Sequence, residues 1–153
     1  MNRDPLCNKC SAPEVKEKLP KHMKYIYSLL PEAELVMARI PGYPLWPGFL
    51  TPDPTCGEYY DALLDKQDQP LQYHVEFLGS PHSRAWVRPK MVHPFNAIKE
   101  DEKLLPLQKG SSKLVASYRT ALEEAKRLVV MKSAERIKSF CHFKYKQDFI
   151  IKS

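Results

Sequence analysis

Cys7-Asn8-Lys9-Cys10 sets two thiols at the spacing that supplies half of a tetrahedral zinc site. A closed zinc site needs two more donors, yet Cys56, Cys141 and the histidines His22, His74, His82, His93 and His142 show no partnering spacing. No bound metal and no cofactor are therefore expected. The histidines also lack a visible nucleophile or carboxylate constellation, and no glycine-rich phosphate loop is present, so no catalysis and no small-molecule substrate are expected. The chemistry that remains is electrostatic. The formal net charge is +6, and residues 96–153 hold 13 basic against 7 acidic side chains while residues 1–95 hold 11 of each. From Lys126 to Lys146 seven basic residues face the single acid Glu135, a run suited to a polyanion, with a solvated helix face as the plainer alternative.

The elements that would carry such groups begin with a chain of 153 residues, 43% of them hydrophobic, which is enough for one domain with appendages. The four scattered cysteines suggest thiols in a reducing, intracellular setting. No secretion signal and no membrane-spanning run is apparent, and apolar stretches such as Leu128 to Met131 are short. Residues 1–31 read as a tether rich in Pro, Lys and Glu, apart from a Tyr25 to Leu30 cluster that packs as one helical turn. Leu35-Val36-Met37-Ala38 reads as a strand, followed by a turn stiffened by Pro41, Gly42, Pro44 and Pro47, and a second strand includes Phe49 and Leu50. The connection from Thr51 to Pro70 contains a helical turn or hairpin arm at Tyr59 to Leu64.

Gln72 to Phe77 alternates, with Tyr73, Val75 and Phe77 directed to the core and His74 and Glu76 to the other face, as in a half-buried strand. Ala85-Trp86-Val87, with Trp86 in the core, and Met91-Val92 complete five short strands, which suggests a small barrel. Beyond residue 96 the period becomes helical. Leu114, Tyr118, Leu122, Ala125 and Val129 fit one helix capped by Ser111, and Ile137, Phe140, Cys141 and Tyr145 fit a second begun near Ser133.

The run Glu34-Leu35-Val36-Met37-Ala38-Arg39-Ile40-Pro41-Gly42-Tyr43-Pro44-Leu45-Trp46-Pro47-Gly48 resembles the opening of a PWWP domain: an apolar strand, a basic residue, then Gly-aromatic-Pro-x-Trp-Pro. Val75-Glu76-Phe77-Leu78-Gly79 resembles the family's second landmark, and Ser83-Arg84-Ala85-Trp86-Val87 with Pro94-Phe95 its closing strands. Met37 stands where the family often has Trp, and Leu45 replaces the first Trp of the name motif; both read as packing changes. The resemblance implies a mainly β fold with C-terminal α, a five-stranded SH3-like (Tudor/PWWP) barrel over residues 32–96 followed by packed helices over 97–153.

It also implies an aromatic cage for a methylated lysine formed by Tyr43, Trp46 and Phe77, with Ile40 and Ser80 beside it. Some relatives carry an acidic residue at the Ser80 position, and a serine there would weaken selectivity between methylation states. Without the resemblance, each of these aromatics would be assigned to the core. The implied partners are a methylated histone-three tail, carrying the trimethyl mark of transcribed gene bodies, and nucleosomal DNA, in the nucleus. DNA contact would fall to Lys21, Lys24, Arg39, Arg88 and Lys90 near the barrel, and to Lys126, Arg127, Lys132, Arg136 and Lys138 beyond it.

Asn8-Lys9-Cys10-Ser11-Ala12-Pro13-Glu14 is similar to the last piece of a CW-type zinc finger, and Glu58-Tyr59 and Tyr73-His74-Val75 are also similar to the zinc-finger CW-type and PWWP-domain protein family. Cys10 would be a zinc ligand only in an intact finger, whose other three cysteines and tryptophan cage would precede Met1. The expected form is a finger remnant without zinc. Two other classes stay open: a DNA-led module with a vestigial cage, and a Tudor-like module for a partner peptide.

Overall fold

The computed structural model describes residues 28–64, 66 and 68–143. Most of the 1–31 tether lies outside them, as do Cys7, Cys10, Lys21, His22, Lys24 and Tyr145. All four residues of strand β1, Leu35–Ala38, are buried, although alternate side chains point to opposite faces. A strand with no solvent side needs cover above and below. β1 lies between β2 (Trp46–Leu50) and β6 (Val92–Pro94), antiparallel to both. β2 continues onto β4 (Pro70–Phe77), and β4 carries β5 (Ser83–Val87) along its other edge. These are the five strands expected. A sixth, β3 (Tyr60–Ala62), pairs with the first half of β4 beyond the point where β2 leaves it, so the ambiguous 59–64 segment resolves as a strand.

The curled sheet encloses one core. Val36 and Ala38 of β1, Leu50 of β2, Tyr73, Val75 and Phe77 of β4, Val87 of β5 and Val92 of β6 meet inside it. The Tyr73 hydroxyl is pushed up to about 12 by burial, so it stays neutral; it accepts from the Leu30 amide at 2.9 Å and ties the segment ahead of β1 to the barrel. The opposite face is covered too. After short helices α1 (Glu100–Leu104) and α2 (Pro106–Lys109), helix α3 (Ser112–Val129) starts where the Ser111 side chain accepts from the Leu114 amide, as its sequence predicts. Ala121, Ala125 and Leu128 of α3, with Cys141 after helix α4 (Ser133–Phe140), cover Leu35, Phe49 and Leu78 in a second core. The buried stripe runs on to Leu128 rather than Val129, which is exposed, because the i, i+3, i+7 spacing from Tyr118 through Ala121 and Ala125 arrives at residue 128. Among the described residues, no helix is long and apolar enough to cross a membrane.

Two expectations fail for one reason. His74 and Glu76, assigned to an open face, are fully buried, because β4 is covered on both sides. Trp86, assigned to the core, alternates with Ala85 and Val87 onto the same outer face as His74, where it is half-buried and meets the His74 ring edge-on at 5.4 Å.

Gly79 is where sheet and helix come closest. Its φ is +116°, and a β-carbon there would sit 2.9 Å from Ser117 Oγ and 3.1 Å from the Ser117 carbonyl oxygen of α3. Gly79→Ala is expected to cost about 2–3 kcal/mol, since it combines a disfavoured φ with a clash against the Ser117 hydroxyl and a tight contact with its carbonyl. Gly42→Ala, at φ +90° with open space around it, is expected to cost about 1 kcal/mol. Urea denaturation of the two variants tests this; equal costs would show that the approach of α3 is looser than described.

Candidate functional site

The segment between β1 and β2 turns at Pro41-Gly42, and its shape is held by backbone groups. The Tyr43 amide donates to the Ile40 carbonyl at 3.1 Å, and Arg39 Nε donates to the Tyr43 carbonyl at 3.1 Å. Tyr43 is thereby left 58% exposed at the rim of the sheet. Trp46 opens β2 and is fixed more firmly. Its indole N–H donates to the Leu78 carbonyl at 2.8 Å, and its ring meets Tyr118 of α3 edge-on, with centroids 5.0 Å apart. Phe77 ends β4, buried opposite Gly48, where a β-carbon would run into Glu76 and Val75 at 2.8 Å.

These three aromatics line one open pocket of about 350 Å³. Ala38, Ile40 and Pro44 come from the same β1–β2 segment, Leu78, Pro81, Ser83 and Arg84 from the turn into β5, and Leu114 and Ser117 from α3. Ile40 is thus part of the wall, whereas Ser80 is exposed and its neighbours Pro81 and Ser83 face the pocket in its place. No carboxylate lies among the described lining residues. The contribution of α3 was not evident from its periodicity, which marks Leu114 only as apolar and says nothing of Ser117; a helix returning to a distant turn leaves no local signal.

Arg84 brings a charge to the wall, but that charge is balanced. Its Nη1 lies 3.4 Å from the Asp53 carboxylate and donates to His74 Nε2 at 3.3 Å. Burial lowers the basicity of His74, which keeps it neutral, with Nδ1 donating to the Thr51 carbonyl at 2.8 Å and Nε2 free to accept. Burial alone would raise the Asp53 carboxyl. Hydrogen bonds from the Thr55 amide (2.7 Å), the Thr55 hydroxyl (2.6 Å) and the Trp86 indole (2.8 Å) outweigh that and hold it well below the usual carboxylate range.

The turn from Gly79 to Ser83 is held from behind. His82, buried, contacts Glu76 Oε2 through Nδ1 at 2.5 Å and Glu124 Oε2 of α3 through Nε2 at 3.0 Å, and Glu124 Oε1 accepts from the Gly79 amide at 2.8 Å. This corrects the expectation that no histidine sits among carboxylates: the partners lie 6 and 42 positions away in sequence.

The basic candidates are dispersed. Arg39 flanks Tyr43, while Arg88 and Lys90 stand exposed on a short turn beside a separate groove that also includes Asp61 and Leu71. Lys126, Arg127, Lys132 and Lys138 are exposed around the end of α3 and along α4, Arg127 lying 5.3 Å over the Phe140 ring. Arg136 differs. Its Nε donates to the Leu128 carbonyl at 2.8 Å and its Nη1 to the Ala33 carbonyl at 2.9 Å, so it caps α3 and ties it to the lead-in of β1 rather than presenting a full guanidinium to a phosphate.

A model of the PWWP domain family matches residues 33–129. The chain belongs to the PWWP family. The matched span includes α3 as well as the barrel, in keeping with a pocket wall drawn from both. The chain is 36% identical over 146 residues to the zinc finger CW-type PWWP domain protein 2 homolog of Mus musculus, covering 92% of this chain and 41% of that protein. It is 33% identical over 148 residues to zinc finger CW-type PWWP domain protein 2 of Homo sapiens, covering 92% and 38%. The chain therefore spans about two fifths of the length of these relatives. Among solved structures it is similar to a Pdp1 PWWP domain described with binding sites for a methylated histone-four lysine and DNA, at 21% identity and a TM-score of 0.40 over 68% of this chain and 92% of that one.

Two measurements follow from the site. Tyr43→Ala is expected to change stability by no more than about 0.5 kcal/mol because the ring is largely exposed, while Trp46→Phe is expected to cost about 1–2 kcal/mol by leaving the Leu78 carbonyl without its donor. Denaturant midpoints report both, and a Tyr43→Ala loss as large as that of Trp46→Phe would contradict the assignment. Asp53 has a depressed folded-state pKa, so its stabilisation is fully present above its unfolded value of about 3.9 and declines as pH falls below that. The stability difference between the unaltered chain and Asp53→Asn should accordingly shrink by about 1 kcal/mol between pH 5 and pH 3. An unchanged difference across that range would remove the carboxylate's role.

Proposed function

We propose that this PWWP chain is a histone reader that takes the trimethyl-lysine of the histone-three tail, the mark carried along transcribed gene bodies, into the pocket lined by Tyr43, Trp46 and Phe77, and holds nucleosomal DNA as a second ligand. The observation that carries this reading is the convergence of those three aromatics, drawn from two separate parts of the chain, on one open pocket. A quaternary ammonium has no N–H to donate, and ring faces attract its spread charge by about 0.5–2 kcal/mol per good contact.

DNA supplies what a small cage lacks. A nucleosome held through phosphates makes capture of its own tail effectively intramolecular. In this reading Arg39 at the rim and Lys113, exposed one position before Leu114 of the wall, would meet DNA beside a bound tail, with Lys126, Arg127, Lys132 and Lys138 farther along the helices. The activity proposed is binding without catalysis, in the nucleus, with the barrel and the helices after residue 97 acting together and residues 1–31 serving as a tether.

The test compares nucleosomes with and without the trimethyl mark, using the unaltered chain and Tyr43→Ala. Tyr43 is the better probe because Trp46 also supports the fold. A preference for the marked nucleosome of about tenfold, lost in Tyr43→Ala while the salt-dependent DNA term remains, is the expected outcome. Equal binding to both nucleosomes, unchanged by the substitution, would leave a basic DNA-binding barrel and overturn the reading.

A further inference from the structure

We propose that Glu76, His82 and His142 form a zinc site on the outer face of β4, with Glu124 orienting His82 from behind. Candidate ligand atoms of the first three lie within 4.8 Å of one another. Glu76 is fully buried; its Oε2 meets His82 Nδ1 and accepts from the His142 amide at 2.9 Å, but its Oε1 has no hydrogen-bond partner among the described residues. The His142 ring stacks on that of His82 at 3.6 Å, with the planes 8° apart.

Counting charge shows what the cluster lacks. With carboxylates on both ring nitrogens, His82 must carry two protons, so Glu76, Glu124 and His82 together sum to one negative charge. Glu76 and His82 have no side-chain exposure and Glu124 only 13%. A net charge in such a place, beside a carboxylate oxygen without a donor, is costly. Exchanging the proton between Glu76 Oε2 and His82 Nδ1 for a divalent cation offsets the two carboxylates, and a cation held by both oxygens of Glu76 would also give Oε1 a partner. One proton leaves for each ion bound.

His82 would then bind through Nδ1 and donate Nε2–H to Glu124, the carboxylate–histidine–metal relay that fixes ring orientation at many zinc sites. Zinc fits two imidazoles and a carboxylate at about 2.0–2.2 Å, with water in the fourth position. Two ligands of a tetrahedral zinc stand about 3.3 Å apart, so Glu76 Oε2 and His82 Nδ1, at 2.5 Å, must part to admit the ion, while His142, whose side chain is exposed, turns toward it from its stack on His82. The spacing of these residues, at 76, 82 and 142, conceals the set from sequence inspection.

The experiment titrates zinc chloride into the chain carrying Cys7→Ser and Cys10→Ser, so that the paired thiols do not compete, after removal of metal with a chelator. One equivalent bound, a higher Tm, and one proton released per zinc, read from calorimetry in buffers of different ionisation heat, are expected. Adding His142→Asn should weaken binding at least tenfold and reduce the zinc-dependent rise in Tm, each read against the metal-free Tm of the same variant. No zinc binding in the double-serine chain, or binding unchanged by His142→Asn, would overturn the proposal.

Discussion

Trp46 packs into both hydrophobic cores, and the arrangement of the molecule turns on that. A small curled sheet has two faces and one interior, and a single interior does not bury the apolar residues that Leu35, Phe49 and Leu78 present outward. Helix α3 covers them. The candidate pocket opens at the seam between sheet and helix, so its walls are the ends of two packing problems solved together. The indole is held by the Leu78 carbonyl on one side and the Tyr118 ring on the other, which leaves its orientation set before any ligand arrives.

Covering the outer face also brings polar groups inside. His74, Glu76 and His82 are buried in consequence, and each is met by specific partners: Thr51 and Arg84 for His74, and His82 and the His142 amide for one oxygen of Glu76. The helix thus reaches the turn at Gly79 to Ser83 by two routes, an apolar one through Ala121 against Leu78 and a polar one through Glu124. The second fixes register as well as proximity, since a carboxylate that serves both an amide and an imidazole tolerates little sliding.

Much of this was legible beforehand where the determinants are local. The apolar run at 35–38, the alternation at 72–77, the serine cap at 111 and the Gly-Tyr-Pro-Leu-Trp-Pro turn each announce their conformation within a few residues, and the family resemblance placed Tyr43, Trp46 and Phe77 near one another. What was missed depends on distant parts of the chain. Alternation predicts which residues share a face but not whether a helix some forty positions later will cover it, so it assigns His74 and Glu76 to solvent and Trp86 to the interior. The charge of Arg136 is visible in the sequence, whereas its acceptors, the Leu128 and Ala33 carbonyls, are not.

The rim position of Tyr43 has an evolutionary corollary. Its ring projects from a turn shaped by Pro41, Gly42 and the Arg39 contact with its backbone carbonyl, and none of these depends on the tyrosine side chain. Trp46 and Phe77 are bound up with folding and have little room to vary. A lineage built on this scaffold is therefore free to exchange the outermost wall of the candidate pocket without first acquiring stability to spare.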